Sequence, residues 1–381
     1  MKLNNFNPEM FLREYWQKKP LFIKNPWDDW RNPLEPDALA GLACEDDIES
    51  RLVVQNNHGW QAEHGPLAES RFDTLGDRRW TLLVQAVDHY VSQVAALIQP
   101  FRFIPNWRID DVMVSYAAQD GGVGPHYDQY DVFLIQGLGK RRWQIGSLCD
   151  ENSKLIPNDQ LKLLAEFEPK DEWDCEPGDI LYIPPGVSHN GVALGRDCMT
   201  YSIGFRAPSK TDLLSHWVDE KPTDIEDDRY SDTDLQLQAN PGEILAETVD
   251  RLHKMVTSEL ADRDDFAEWF GRYNSATKYP DIDWTPENPM SAEELLDEIK
   301  TGQVLKKNPA SRCSFIRRRP NALMLFVDGE MFECGADTAQ LAEAICALDE
   351  IDFPMDEASS SNVIALLNLL YNQGSLYLDE N

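Results

Sequence analysis

The chain has 381 residues, 42% of them hydrophobic and 10% aromatic, which is the composition of a folded soluble protein long enough for two or three domains. A formal net charge of -32 argues against a nucleic-acid binder, since phosphate contacts need concentrated Lys and Arg; such a surface keeps the protein soluble and attracts basic proteins. Seven scattered cysteines without a CxxC exclude a disulfide scaffold or structural zinc site, and the absence of a secretory leader pattern or a membrane-length apolar run makes the cytoplasm the expected location.

In chain order, "NPEMFLREYWQKKP" predicts a capped helix stopped by Pro20, and "DALAGLACEDD" predicts a second. Between Trp80 and Phe101, residues Leu82, Leu83, Ala86, Val87, Tyr90, Val94 and Leu97 recur near the helical period and predict a long amphipathic helix that includes His89. From Asp110 the pattern changes to short β-rich runs separated by glycine and proline: "DVMVSYA", "DVFLIQG", "RRWQIG", "GDILYIPPG" and "MTYSIGFRAP". These predict a mainly β catalytic domain, a jelly roll or related antiparallel double sheet.

The acidic, proline-bounded residues 222 to 240 read as a linker. A helical block follows, "ILAETVDRLHKMVTSELADRDDFAEWFGRYNS", with too much apolar surface for a solvated appendage, which suggests a homodimer interface. Beyond "YPDIDWTPENP" come a helix "SAEELLDEIKTG", a strand "SFIRRR", a hairpin turning at Asp328-Gly329, a helix "TAQLAEAICAL" and a last helix ending at Gly374. This mixture reads as a winged-helix-like α+β domain. From Trp284 to Asn381, seven Lys plus Arg stand against seventeen Asp plus Glu, so a DNA reader is disfavoured despite Arg317, Arg318 and Arg319. The expected domains are therefore 1-212, with the barrel core from about residue 92, then 213-283, then 284-381.

In "VGPHYDQYDVF", His126 and Asp128 are two apart and on a strand would share one face. Packed inside a double sheet, that pair needs a partner, and a divalent metal is one. The run "GDILYIPPGVSHNG" offers His189 from a distant strand, and two histidines with one carboxylate are the facial set of non-haem iron, Fe(II), which leaves positions open for a cosubstrate and O2. His58, His64, His89, His216 and His253 lack such company, and Asp131 is out of phase with Asp128. In "QGLGKRRWQIG", Arg141 shares a face with Trp143 and Ile145, while Lys140, Arg142 and Gln144 face solvent. A guanidinium among apolar groups wants an anion. Either an internal Asp or Glu supplies it, or a dicarboxylate such as 2-oxoglutarate does, with one end on the metal.

The motifs "GGVGPHYDQYDVFLIQGLGKRRWQIG", "GDILYIPPGVSHNG" and "YSIGFRAP", with the opening "YWQKKPLFIK" and "ESRLVVQ", resemble the JmjC-type 2-oxoglutarate oxygenases, and among them the bacterial ribosomal oxygenases. The resemblance implies a cupin-like double-stranded β-helix, a helical dimerisation segment and a winged-helix-like C-terminal domain. It implies iron on His126, Asp128 and His189, and 2-oxoglutarate on Arg141 and Ser115. The implied reaction is 3-hydroxylation of an arginine in a basic large-subunit ribosomal protein, with succinate and CO2 as coproducts. One departure is "AAQDGGVG", where Asp120 either accepts a hydrogen bond from the substrate arginine or starts a turn. A histidyl hydroxylase, or a non-catalytic acidic assembly protein, are the other readings.

Overall fold

The computed structural model describes residues 3–56, 59–158, 160–221, 229–238, 240, 242–351 and 360–379. His58 and much of the expected linker at 222 to 240 lie outside them. The first helix, α1 (Pro8–Glu14), is capped by the Asn7 side chain accepting from the Met10 amide, and Phe11 on its inner face is wholly buried. Strand β1 (Leu21–Ile23), helix α2 (Pro36–Leu42), the hairpin β2 (Ser50–Asn56) and β3 (Gly59–His64), and the short α3 (Glu69–Asp73) complete the N-terminal part.

The long helix expected over Trp80–Phe101 does not form. Trp80–Val84 is strand β4, paired with β2 on one side and on the other with β5 (Ile109–Ala117). Ala86, in the left-handed region at φ 49°, then turns the chain into a 3₁₀ turn at Val87–His89, a short α4 (Ser92–Ala95) and a second 3₁₀ stretch containing Pro100. Both faces of β4 are covered: Leu82 enters the large core and Leu83 a smaller one around Val53. A strand apolar on both faces loses the two-residue alternation, and its apolar run then imitates a helical stripe.

The remaining barrel strands are β6 (Asp131–Leu138), β7 (Arg141–Leu148), β8 (Asp171–Cys175), β9 (Ile180–Ile183), β10 (Val187–Ala193) and β11 (Cys198–Phe205). They form two facing antiparallel sheets, one of eight strands in the order β1-β9-β6-β11-β5-β4-β2-β3 and one of three in the order β10-β7-β8. Between the sheets, Val132, Leu134, Leu181 and Ile183 meet Trp143, Ile145 and Cys175. The alternate residues Phe133, Ile135, Ile180 and Tyr182 point outward and pack with Phe11 and Phe101 of the N-terminal helices. Burial on both faces explains why β6 reads as a continuous apolar run.

Helices α5 (Lys210–Glu220), α6 (Ala246–Glu259) and α7 (Arg263–Ser275) follow. Val249, Leu252, Met255 and Val256 on α6 are exposed, whereas Trp269 is buried among Trp217, Phe266 and Tyr273, and Phe270 packs on Trp107. The aromatic half of the expected interface thus belongs to packing within the chain. The C-terminal unit contains α8 (Ala292–Lys300), β12 (Val304–Lys307), the sheet of β13 (Cys313–Arg319), β14 (Ala322–Val327) and β15 (Glu330–Cys334), then α9 (Ala339–Ala347), α10 (Ser361–Asn372) and β16 (Leu376–Asp379), which pairs with β12. Gly271 of α7 lies so close to the Phe326 ring on β14 that a Cβ there would meet it at 2.3 Å. Helix α7 therefore packs as part of the C-terminal unit, ahead of the expected boundary at 284. This unit is joined to the barrel by Arg102 with Asp349 (2.5 Å), Asn106 with the Cys346 carbonyl (2.6 Å) and Arg312 with Asp110 (2.7 Å). Among the described residues no helix is long and apolar enough to cross a membrane.

Candidate active site

His126 and Asp128, expected on a strand, lie instead in the loop before β6. His126 forms a single antiparallel bridge with His189 of β10, donating its amide to the His189 carbonyl at 3.0 Å and accepting the His189 amide at 2.8 Å. This bridge sets the two imidazoles side by side, with ring centroids 4.3 Å apart and the ring planes tilted by 59°. The Asp128 carboxylate reaches to 3.9 Å from His126 Nε2 and 3.6 Å from His189 Nε2, so three candidate ligand atoms lie within 4.8 Å of one another. Each Nδ1 faces a main-chain carbonyl, Gly124 at 2.9 Å for His126 and Val187 at 3.0 Å for His189. A carbonyl only accepts, so both rings carry their proton on Nδ1 and direct the Nε2 lone pair at the common point, the arrangement a divalent metal requires. Gly124, at φ 83°, turns that carbonyl toward His126; a side chain there would press on Leu163 and Trp60. Burial, with His126 beside it, holds the His189 ring at about 4, neutral at physiological pH.

The triad opens into a cavity of about 900 Å³ that Arg141 and Ser115 also line. Arg141 is 3% exposed, its guanidinium carbon is 5.5 Å from the Trp143 ring centroid, and its Nε and Nη2 find no hydrogen-bond partner among the described residues. No described carboxylate answers it, which disfavours the internal ion pair. A buried guanidinium with two unanswered donors facing a cavity fits a carboxylate gripped by a pair of parallel hydrogen bonds. Ser115, also buried, donates weakly to the Thr200 carbonyl at 3.5 Å and faces the same space. The residues present therefore fit both the metal and the cosubstrate.

Asp120 is placed elsewhere. It starts a turn at φ 59°, is ion-paired with Arg78, and lines a separate cavity of about 520 Å³ with Trp60 and Asn190. Asp131 is wholly buried and accepts from Tyr182 (2.6 Å), Gln17 (3.0 Å) and Arg108 (3.2 Å), a structural role away from the triad. His89 is buried in its turn, and burial lowers it to about 4.

Two carboxylates that sequence reasoning passed over do line the triad's cavity, Asp110 and Asp111. Lys278 reaches both, at 2.9 and 2.8 Å, and Arg312 reaches Asp110. Burial acts on both groups. At Asp110 it is outweighed by Lys278 and Arg312, which hold the carboxyl below the usual range; at Asp111 burial prevails and holds it above. The signal was available: Asp111, Met113 and Ser115 share one parity on β5, and all three line the cavity. Tyr130, 44% exposed, sits at the mouth beside Asp128, where burial of its hydroxyl and the nearby carboxylates raise its pKa.

A double-stranded β-helix whose cavity holds two histidines, an aspartate and a buried unpaired arginine defines the class of metal- and 2-oxoglutarate-dependent dioxygenases. Residues 96–213 match the JmjC domain, and residues 258–377 match the ROXA-like winged helix. The Escherichia coli ribosomal protein uL16 3-hydroxylase is 42% identical over 296 residues, which cover 77% of this chain and 78% of that protein. The E. coli ribosomal oxygenase YcfD in complex with cobalt and 2-oxoglutarate has a TM-score of 0.85 at 36% identity, covering 100% of this chain and 99% of that one. Its complex with cobalt and succinic acid gives 0.86 at 35%, over 100% of this chain and 99% of that one. The chain belongs to the JmjC-domain ribosomal oxygenases.

Proposed function

We propose that this protein is an Fe(II)- and 2-oxoglutarate-dependent hydroxylase that places a hydroxyl on C3 of an arginine side chain in the large-subunit ribosomal protein uL16. His126, Asp128 and His189 hold the iron; Arg141 and Ser115 hold 2-oxoglutarate. The observation that carries the reading is the unpaired Arg141 guanidinium in the same cavity as the triad, since a structural barrel needs no buried cation with empty donors. Together, the metal and 2-oxoglutarate supply the activation of O2, with one oxygen atom passing to the substrate C–H and the other to succinate as CO2 leaves. The chain's own residues bind, orient and exclude water: Val132, Leu134, Leu83 and Met113 wall the cavity with apolar surface.

An arginyl substrate is supported by Asp110 and Asp111, carboxylates in the cavity that a planar cation would share with Lys278 and Arg312. An acidic surface suits a basic ribosomal protein, because opposite charge speeds encounter. The exposed apolar row on α6, with Leu214 and Val218 of α5 also exposed, supports a homodimer through this region. Seven free cysteines are consistent with work in the reducing cytoplasm.

The deciding experiment is mass spectrometry of ribosomal proteins from cells with and without the gene. A mass gain of one oxygen on an arginine of uL16, lost on deletion, is the expected result. A gain on a histidine instead would replace the arginyl reading while keeping the oxygenase, and no change on any ribosomal protein would remove the ribosomal substrate.

A further inference from the structure

The cavity contains a second arginine that neither the metal nor 2-oxoglutarate accounts for. Arg51, on β2, faces the same side as Val53 and lines the cavity with the triad. Across the large sheet it is in register with Leu83, Leu83 with Ser115, and Ser115 with Thr200, so the four residues form one row on the cavity floor. The Arg51 side chain makes no hydrogen bond or ion pair among the described residues, and its Nε is shielded from solvent without a partner. Lys278 and Arg312 are held by Asp110 and Asp111. Arg206 shares with Arg51 a shielded Nε without a described partner, but both of its Nη atoms donate, to the carbonyls of Asn274 and Trp107, whereas Arg51 has no such contact among the described residues.

We propose that Arg51 is a substrate-binding residue whose guanidinium takes a carbonyl or carboxylate oxygen of the protein segment carrying the target arginine. The inference rests on the hydroxylase reading above and adds the far end of the substrate to it. Register gives the scale. Arg51 lies two strands from Ser115, about 10 Å, and Asp111 lies four residues along β5 from Ser115, about 13 Å, so their main-chain positions are on the order of 16 Å apart. An extended segment of about five residues spans that separation. A segment entering the cavity must leave its main-chain carbonyls satisfied, and a guanidinium with no partner among the described residues is suited to them. The polarity also fits: a cation sharing Asp110 and Asp111 with Lys278 and Arg312, and an oxygen acceptor met at Arg51.

The test compares Arg51→Gln and Arg51→Lys with the wild type, all loaded with cobalt(II) and 2-oxoglutarate, by calorimetric titration of an arginine peptide from uL16. Arg51→Gln should weaken peptide binding roughly tenfold to a hundredfold, the range for a hydrogen bond to a charged group, and Arg51→Lys less, since it keeps the charge and loses the fork. The affinity for 2-oxoglutarate without peptide should move less than about twofold, and Arg51→Lys keeps the comparison open if the glutamine variant folds poorly. Unchanged peptide affinity, or a loss of 2-oxoglutarate affinity in the same proportion, overturns the proposal. Repeating the titration with the peptide's acidic residues made amides separates the oxygens: an Arg51 effect that vanishes names a carboxylate, and one that persists names carbonyls. Hydroxylation by the wild type with unchanged binding by Arg51→Gln sinks this inference alone, whereas no hydroxylation of the peptide by the wild type sinks both it and the arginyl reading.

Discussion

His126 and His189, 63 positions apart in sequence, exchange both of their main-chain hydrogen bonds in one isolated bridge, and their Nε2 atoms lie 3.9 and 3.6 Å from the Asp128 carboxylate. The scaffold of the site is thus main-chain, and the side chains are free for a ligand. Asp128→Ala and His126→Ala should each abolish turnover and cobalt(II) binding, the latter followed by visible absorption. The thermal midpoint of the metal-free protein should move by only a few degrees, about 1 kcal/mol, because the large apolar core does not involve these groups. Full turnover by Asp128→Ala would reject the assignment.

Arg141 predicts opposite effects with and without cosubstrate. Arg141→Met removes a buried cation without a described partner, so the cosubstrate-free protein should become more stable, by about 1 kcal/mol. Its affinity for 2-oxoglutarate should fall roughly a hundredfold, with Arg141→Lys intermediate. Thermal unfolding over a 2-oxoglutarate titration reads both; a midpoint for Arg141→Met that rises with 2-oxoglutarate as in the wild type would remove Arg141 as the anchor.

The two candidate substrate carboxylates can be ranked. Asp110→Asn should raise the KM for an arginine peptide by about tenfold, and added salt should weaken wild-type association more than it weakens 2-oxoglutarate binding. Asp120→Asn should have the smaller effect, because Asp120 lines another cavity while Asp110 lines that of the triad. The reverse ranking in steady-state kinetics would return the substrate contact to Asp120.

Assembly has a mass readout. Leu252 and Met255 are 43% and 37% exposed on α6, with Val249 and Val256 beside them. Leu252→Glu with Met255→Glu should shift the light-scattering mass from dimer toward monomer at micromolar concentration, since burying two carboxylates without partners is costly. A wild type that already runs as a monomer refutes the dimer.

Asp88 and His89, adjacent and both buried, contribute opposite pH dependences to stability. Burial raises Asp88 from 3.8 to about 8, so the folded state keeps a proton that the unfolded chain releases, and stability falls as pH rises through that interval. His89 is lowered from 6.5 to about 4, so the unfolded chain takes up a proton that the folded state refuses, and stability rises with pH between those values. The two offset each other up to about pH 6.5, where His89 ceases to contribute. From there to about pH 8 a net loss of up to ~2 kcal/mol remains. Asp88→Asn, which keeps an acceptor for the Val112 amide, should flatten that decline in urea unfolding at the two pH values; an unaltered slope would place the titration elsewhere.

The sequence by itself determined the barrel strands β5, β6, β7, β9 and β11, the three residues of the candidate metal site, the inward face of Arg141, and the hairpin at Asp328-Gly329, which the structure turns at φ 51° and 89°. Each of these is local: alternation along a strand, a turn requiring positive φ, or a residue type too costly to bury without a ligand. Only the tertiary structure decided the rest. Trp80–Val84 is a strand because β2 and β5 lie on either side of it, and a pattern apolar on both faces does not distinguish that from a helix. Trp269 is buried because Trp217 of α5 is there to meet it, Gly271 faces the C-terminal unit because Phe326 lies against it, and Asp120 is ion-paired with Arg78 in a cavity apart from the triad. Arg51 reads in sequence as an ordinary strand residue. Its unanswered guanidinium became visible only when sheet pairing placed it in a row with Ser115, because the absence of a partner is a property of everything around a residue and of nothing within its own segment.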